Sequence, residues 1–242
     1  MRAVILAAGY ATRLYPLTHD RPKHLLEVAG LTILDRLLDQ LPLDELDGVT
    51  VVTNAKFAPR FREWAQAADL PIVTEVIDDG TTSDQDKLGA IGDLQLVIGS
   101  MESDDDLLVA AGDSLFTERL DRFVSFAHER SAAVIAVYDV GELESMTRLA
   151  AIGIDSDSRV TSFQEKPERP ASTLAGIALY YYPREVLPLV SRYLEEGNNP
   201  DQPGRLVEWL YTRTPVYAWP VPGEWLDIGT PEALAEADRL FG

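Results

Sequence analysis

A chain of 242 residues, 46% hydrophobic and 25% charged, is long enough to bury a sizeable core and too apolar to be disordered. It contains no cysteine, which excludes disulfides, thiolate metal sites and a cysteine nucleophile. Its net charge of −19 excludes nucleic acid as a bulk partner, because binding a phosphate backbone takes a basic surface.

In chain order, β-branched apolar runs and amphipathic stretches alternate. They predict a strand at 2–8, a helix at 32–40, a strand at 49–53, a helix at 59–68 and a strand at 72–77. A helix at 87–98, a strand at 106–111, a helix at 118–129 and a strand at 133–140 follow. Strands at 150–154, 160–164 and 174–182 come next, then helices at 183–195, 205–212 and 231–241. Three of the helical stretches open on proline (Pro59, Pro183, Pro231), which lacks the N–H that a first helical turn leaves unused anyway. Strand–loop–helix repetition in the first half implies right-handed crossovers and a parallel sheet. The strand-rich second half implies an antiparallel addition. With no linker-like composition shift, residues 1–242 read as a single α/β domain.

No apolar run approaches the roughly 20 residues of a membrane span, and the apolar start at 3–8 is too short for a signal-peptide core. A cytoplasmic location and no membrane partner are expected. The acidity, and the use of lysine at only Lys23, Lys56, Lys87 and Lys166, fit a halophilic source or a GC-rich genome equally. The charge is uneven: residues 1–26 hold Arg2, Arg13, Arg21 and Lys23 against Asp20 alone. A positive island in an acidic protein suits a small polyanionic ligand.

That island contains a first apolar strand that breaks into Ala7-Ala8-Gly9-Tyr10-Ala11-Thr12-Arg13-Leu14, followed by Pro16-Leu17-Thr18 and Arg21-Pro22-Lys23. Small residues let an anion approach the free N–H groups of such a loop. The loop matches neither the dinucleotide-binding glycine pattern nor the P-loop. A second apolar strand ends in Gly112-Asp113, and Trp225-Leu226-Asp227-Ile228-Gly229-Thr230-Pro231 carries one acid in apolar surroundings. Among 40 acidic residues these two aspartates stand out. An unpaired carboxylate embedded in apolar sequence is costly, and Mg²⁺ is commonly held by one or two carboxylates with phosphate and water. His19, His24 and His128 form no convincing acid–base pair. Asp104-Asp105-Asp106 has the Asp-x-Asp spacing of a glycosyltransferase metal motif, but it precedes its strand and reads as a solvated turn.

Leu6-Ala7-Ala8-Gly9-x-x-Thr12-Arg13-Leu14-x-Pro16-Leu17-Thr18-x-x-x-Pro22-Lys23 resembles the opening of the sugar-phosphate nucleotidyltransferases of the glucose-1-phosphate thymidylyltransferase type. Gly112-Asp113, Glu165-Lys166-Pro167 and Trp225-x-Asp227-x-Gly229-Thr230 resemble further motifs of that family, in the expected order and over nearly the whole chain. Ala11, Ser114 and Ala150 stand where glycine, asparagine and glycine are commoner.

The resemblance implies a Rossmann-like mixed, mostly parallel sheet flanked by helices, with a smaller antiparallel sugar-binding part. It implies nucleotide contacts from Ala8, Gly9, Thr12, Arg13 and Lys23, with Thr82 and Gly89 at the base and ribose. It implies Mg²⁺ on Asp113 and Asp227, and sugar-phosphate contacts from Glu165, Lys166 and Gly176; Arg13, Lys23, Asp113 and Asp227 would be catalytic. The implied partners are a nucleoside triphosphate and a sugar 1-phosphate, with a homo-oligomer as an option. The alternatives are transfer to a non-sugar phosphate such as phosphocholine, or a catalytically silent nucleotide-binding regulator. The hexapeptide repeats of longer relatives are missing, so no acyltransferase activity is expected.

Overall fold

The computed structural model describes residues 1–68, 70–101 and 105–242. They divide into two compact units: Met1–Leu88, Ala110–Asp121 and Pro222–Gly242 form the first, Gly89–Val109 and Arg122–Val221 the second.

In the first unit the strands Arg2–Leu6, Gly48–Thr53 and Thr74–Asp78 pair in parallel, with Ile5 opposite Val51 and Val51 opposite Val76. All six residues of Gly48–Thr53 are buried, as expected of a parallel strand covered on both faces. Two helices make the connections. Ile33–Gln40 buries Ile33, Leu34, Leu37 and Leu38, and starts at a capping box in which the Asp35 N–H donates to Thr32 Oγ1 at 3.0 Å and the Thr32 N–H to Asp35 Oδ2 at 3.3 Å. Ala58–Ala67 buries Ala58 and Phe61, and Trp64 Nε1 ties it to Asp35 Oδ1 at 2.8 Å. A second apolar cluster gathers Leu14, Leu26, Val28, Ile33, Leu115, Ile228 and Ala237. It fastens the loop after the first strand to the C-terminal helix Pro231–Phe241, capped by Thr230.

The second unit has a mixed sheet. Leu174–Tyr182 pairs antiparallel with both Ala133–Asp139 and Ala150–Ile154. Val160–Glu165 pairs antiparallel with Ala150–Ile154, and Val216–Pro220 runs parallel to Ala133–Asp139. The helices Ala90–Ser100, Asp121–Arg130, Pro188–Glu195 and Gly204–Leu210 lie along this part of the chain. The α/β, Rossmann-like class expected from the alternation is the class found, with the antiparallel pairings in the later half of the chain.

The departures are local. The first strand stops at Leu6 instead of 8, although the Ala7 N–H still bonds Val52 O at 2.9 Å. The helix expected at 87–98 starts at Ala90, because Gly89 has φ +80°. The helix expected at 183–195 begins as a 3-10 turn, Arg184–Val186, before α-helix Pro188–Glu195, whose first residue is a proline with no N–H to give. Five short strands had no sequence signal: Glu27–Val28, Leu31–Thr32, Ser114–Phe116, Val216–Pro220 and Trp225–Asp227. Among the described residues no helix is long and apolar enough to cross a membrane.

Candidate active site

The three parallel strands of the first unit end in a row of braced loops. Asn54 Nδ2 donates to Ala8 O at 2.8 Å, and Thr53 Oγ1 to Ala7 O at 3.1 Å. Thr18 Oγ1 donates to Ala11 O at 2.8 Å and folds the following segment back on the loop. Gly9 is exposed, and a side chain built on it would meet nothing within 4 Å. Packing therefore leaves open space in front of its backbone, the condition for close approach of an anion. Thr12–Leu14 form a 3-10 turn that buries Leu14 and leaves Thr12 and Arg13 exposed. Ala11 has φ +48° and ψ +44°, so the position where glycine is commoner in similar sequences is left-handed here. An L-residue there is strained by roughly 1–2 kcal/mol.

The two singled-out aspartates meet. Ser114–Phe116 and Trp225–Asp227 form a two-stranded antiparallel ribbon in which Ser114 faces Asp227 and Phe116 faces Trp225. The Ile228 N–H continues it to Asp113 O at 3.0 Å. Buried Ser114 receives Trp225 Nε1 at 3.4 Å, so the residue standing where asparagine is commoner braces the ribbon. The Asp113 and Asp227 carboxyl groups come within hydrogen-bonding range of each other.

Gly112 explains how a cation reaches them. A Cβ at Gly112 would lie 2.8 Å from the His24 ring and 3.0 Å from Ile5. Only glycine lets the Lys23–Leu25 turn pack this closely, and Lys23 Nζ then pairs directly with Asp113 Oδ2, the two side chains 11% and 20% exposed. Arg13 approaches from the other side: a Cβ at Gly229 would be 3.3 Å from Arg13 Nη2 and 3.5 Å from Asp227 Oδ2.

The electrostatics follow from this packing. Burial raises the Asp113 carboxyl, but the charge and hydrogen bond of Lys23, with the neighbouring His24 and a backbone N–H, together hold the group below the usual carboxylate range. Asp227 keeps an exposed edge. Partial withdrawal from water, and then the like charge of Asp113, push its carboxyl up to about 6 against the pull of Lys23 and Arg13. His24 is buried against Phe61, ring centroids 5.8 Å apart, and burial with the nearby Lys23 charge lowers it to about 3. It is a neutral packing residue.

Among the described residues no three His, Cys, Asp or Glu side chains cluster as a metal cage. What the ribbon supplies is a pair of carboxylates. That donor set fits a hard divalent ion whose other ligands are phosphate oxygens and water.

Thr82 donates its N–H and hydroxyl to Asp86 Oδ2, each at 3.0 Å, inside a self-braced loop of the first unit. Gly89 belongs to the second unit, where a Cβ would lie 2.6 Å from Pro200 O. Its glycine is required by the 197–204 loop, which bonds the Ala90 and Ile91 N–H groups through Asp201 O and Pro200 O at 3.2 and 2.9 Å.

Also in the second unit, Glu165 is partly buried, and burial raises its carboxyl against the charges of Lys166 and Arg205. Lys166 is exposed and left-handed, φ +49°, and its N–H is held by Leu149 O at 3.1 Å. Gly176 faces Ile152 and Ile135, whose Cδ1 atoms would stand 2.7 and 3.1 Å from a Cβ, so a larger residue would displace these side chains. Of the Asp-x-Asp triplet, Asp104 lies outside the described residues; Asp106 is a structural acceptor for Tyr181 Oη at 2.6 Å and the Arg184 N–H at 2.9 Å.

A family model described as nucleotidyl transferase matches residues 2–241. The chain belongs to the nucleotidyl transferase family. Its similarity to individual members is low but runs end to end. It is 25% identical to the bifunctional protein GlmU of Methanocaldococcus jannaschii, over 100% of this chain and 54% of that protein. It is 26% identical to the UTP–glucose-1-phosphate uridylyltransferase AglF of Haloferax volcanii, over 99% of this chain and 96% of that one. The chain thus spans about half the length of the first of these relatives and nearly all of the second. A crystal structure of UDP-glucose pyrophosphorylase complexed with UDP-glucose shares the fold, with a TM-score of 0.84 at 17% identity over 99% of this chain and 97% of that one.

Two outcomes test this local geometry. Ala11→Gly relieves the left-handed strain and raises the unfolding free energy by about 1 kcal/mol in urea titration; a loss of stability would show that the methyl group is needed for packing. His24 takes up a proton when unfolded below about pH 6.5 but resists it in the fold down to about 3. The stability it contributes is therefore complete above pH 6.5 and lost progressively as pH falls toward 3. Between pH 7 and 5 the wild type should lose about 2 kcal/mol more unfolding free energy than His24→Gln, and parallel pH curves would contradict this.

Proposed function

We propose that this protein catalyses the Mg²⁺-dependent transfer of a nucleotidyl group from a nucleoside triphosphate to a sugar 1-phosphate, releasing pyrophosphate. The observation that carries the reading is the meeting of Asp113 and Asp227 beside Lys23 and Arg13, on the loop edge that holds Gly9. Family membership across residues 2–241 and the sugar-phosphate nucleotidylyltransferases among its relatives support it.

The chemistry requires little acid–base help, because a phosphate oxygen is already ionised at neutral pH. The obstacle is repulsion between two anions, so alignment and charge neutralisation dominate. In this reading the open backbone at Gly9, with Ala8 and Thr12, receives the triphosphate. Arg13 offers a planar, permanently charged fork to its oxygens. Lys23 balances Asp113 in the free protein and turns toward phosphate when that carboxylate is otherwise engaged. Asp113 and Asp227 would hold the Mg²⁺, which when bound neutralises charge on the phosphates and aligns them. On the acceptor side, Glu165 would accept hydrogen bonds from the sugar hydroxyls and Lys166, exposed and held in position by its own backbone bond to Leu149, would bind the phosphate. Thr82 and Gly89 are assigned to the base and ribose. Gly176 would line the sugar pocket through its backbone.

The assay is pyrophosphate release across four triphosphates and a panel of acceptors that includes phosphocholine. Release should require a triphosphate, a sugar 1-phosphate and a divalent cation together, and Asp113→Asn should lower kcat by about 10²–10³-fold with the circular dichroism spectrum unchanged. Turnover retained by Asp113→Asn would refute the metal role. Release with phosphocholine alone would move the protein to the other acceptor class, and triphosphate binding without release from any acceptor would make it a regulator.

A further inference from the structure

Tyr10, the residue after Gly9, has no role in the account so far. It is only 8% exposed, its ring centroid 6.4 Å from that of Phe57. Its hydroxyl is shut off from water beside Thr81, without a hydrogen bond of normal geometry. Thr81 has given its own N–H and hydroxyl proton to Asp79 Oδ1, both at 2.7 Å. The other oxygen of that carboxylate, Asp79 Oδ2, is equally shut off and equally unbonded. Among the described residues the Tyr10 phenol therefore has only the Thr81 hydroxyl beside it, in poor geometry, and Asp79 Oδ2 has no donor, the two lying on either side of one threonine. Burial, then the charges of Asp86, Asp79 and Asp84, raise the Tyr10 phenol, so it stays protonated and keeps its proton to give. Native structures seldom leave such groups buried and unpaired, because the desolvation is not recovered.

The two sides of this mismatch belong to two loops on the same edge of the first unit. Tyr10 extends from the Gly9 loop. Asp79 and Thr81 begin a loop bonded to itself: Asp86 accepts the N–H and hydroxyl of both Thr82 and Ser83 at 2.7–3.0 Å, and Asp78 Oδ1 accepts the Gly80 N–H at 2.9 Å.

We propose that Tyr10 is a positioning residue for the nucleotide: when a triphosphate draws in the Gly9 loop, the Tyr10 hydroxyl donates to Asp79 Oδ2 and locks the 79–86 loop against it. The inference rests on the assignment of the Gly9 loop to the triphosphate. It makes Tyr10 a link between the residues that hold phosphate and the loop assigned to the base.

The test compares wild type with Tyr10→Phe, which removes the hydroxyl and keeps the ring on Phe57. The four nucleoside triphosphates with Mg²⁺, and no acceptor, are titrated by calorimetry, and amide exchange at Thr82 and Ser83 is followed with and without them. The free variant should melt no lower than wild type, since its lost hydroxyl had no good partner, yet bind triphosphate about tenfold more weakly. Exchange protection at Thr82 and Ser83 should rise with triphosphate in wild type and not in the variant. Equal affinity in the two proteins, or equal gain of loop protection, overturns the role of Tyr10 and leaves the Gly9-loop assignment standing. Wild type that binds no triphosphate overturns both.

Discussion

Two carboxylates held side by side repel each other, and this chain spends specific structure to keep them there. Asp113 and Asp227 are 114 residues apart in sequence and are joined by a ribbon of three residues on each side, one buried serine and one backbone bond from Ile228. Lys23 offsets one charge in the free protein, and a partly dehydrated Asp227 carries the residual repulsion as a carboxyl raised toward neutrality. Such a pair is a poor stabilising device. It makes sense as a place where a further positive charge is to be received.

The rest of the first unit serves that arrangement. The parallel strands set the level of the loops, Gly112 admits the Lys23 turn, and the Leu14–Ile228–Ala237 cluster joins the first loop to the last helix. Even the strained Ala11 belongs to it, since its carbonyl anchors both Thr18 and the Leu14 N–H and thereby fixes where Arg13 emerges. Together these contacts tie segments from the start, middle and end of the chain.

Much of this was legible in the sequence, and the limits have physical causes. The strands Ala150–Ile154 and Leu174–Tyr182 and the helix Pro231–Phe241 fall where periodicity and capping residues put them. Asp113 and Asp227 were separable from the other acids because apolar neighbours surround them. The ribbon that unites them was not legible, because three-residue strands leave no periodicity to read. Nor was the left-handed geometry at Ala11 and Lys166, which side chains tolerate only when neighbouring bonds impose it. Gly89 and Gly176 read as ligand contacts from the resemblance, yet the chain already requires glycine at Gly89 for its own backbone packing and crowds Gly176 with isoleucine side chains. The division into two units has no counterpart in composition, and two of its boundaries fall inside the strand Leu107–Ala111 and the helix Asp121–Arg130.

The central claim is that Asp113 and Asp227 act as one ligand pair. Mn²⁺ binding in the presence of a nucleoside triphosphate, followed by electron paramagnetic resonance in wild type, Asp113→Asn, Asp227→Asn and the double variant, tests it directly. The expected result is that each single substitution removes most of the affinity and the double removes little more, the non-additivity of two groups sharing one ion. If either single variant binds Mn²⁺ as wild type does, or if the two losses simply add, the carboxylates do not share an ion and the account fails.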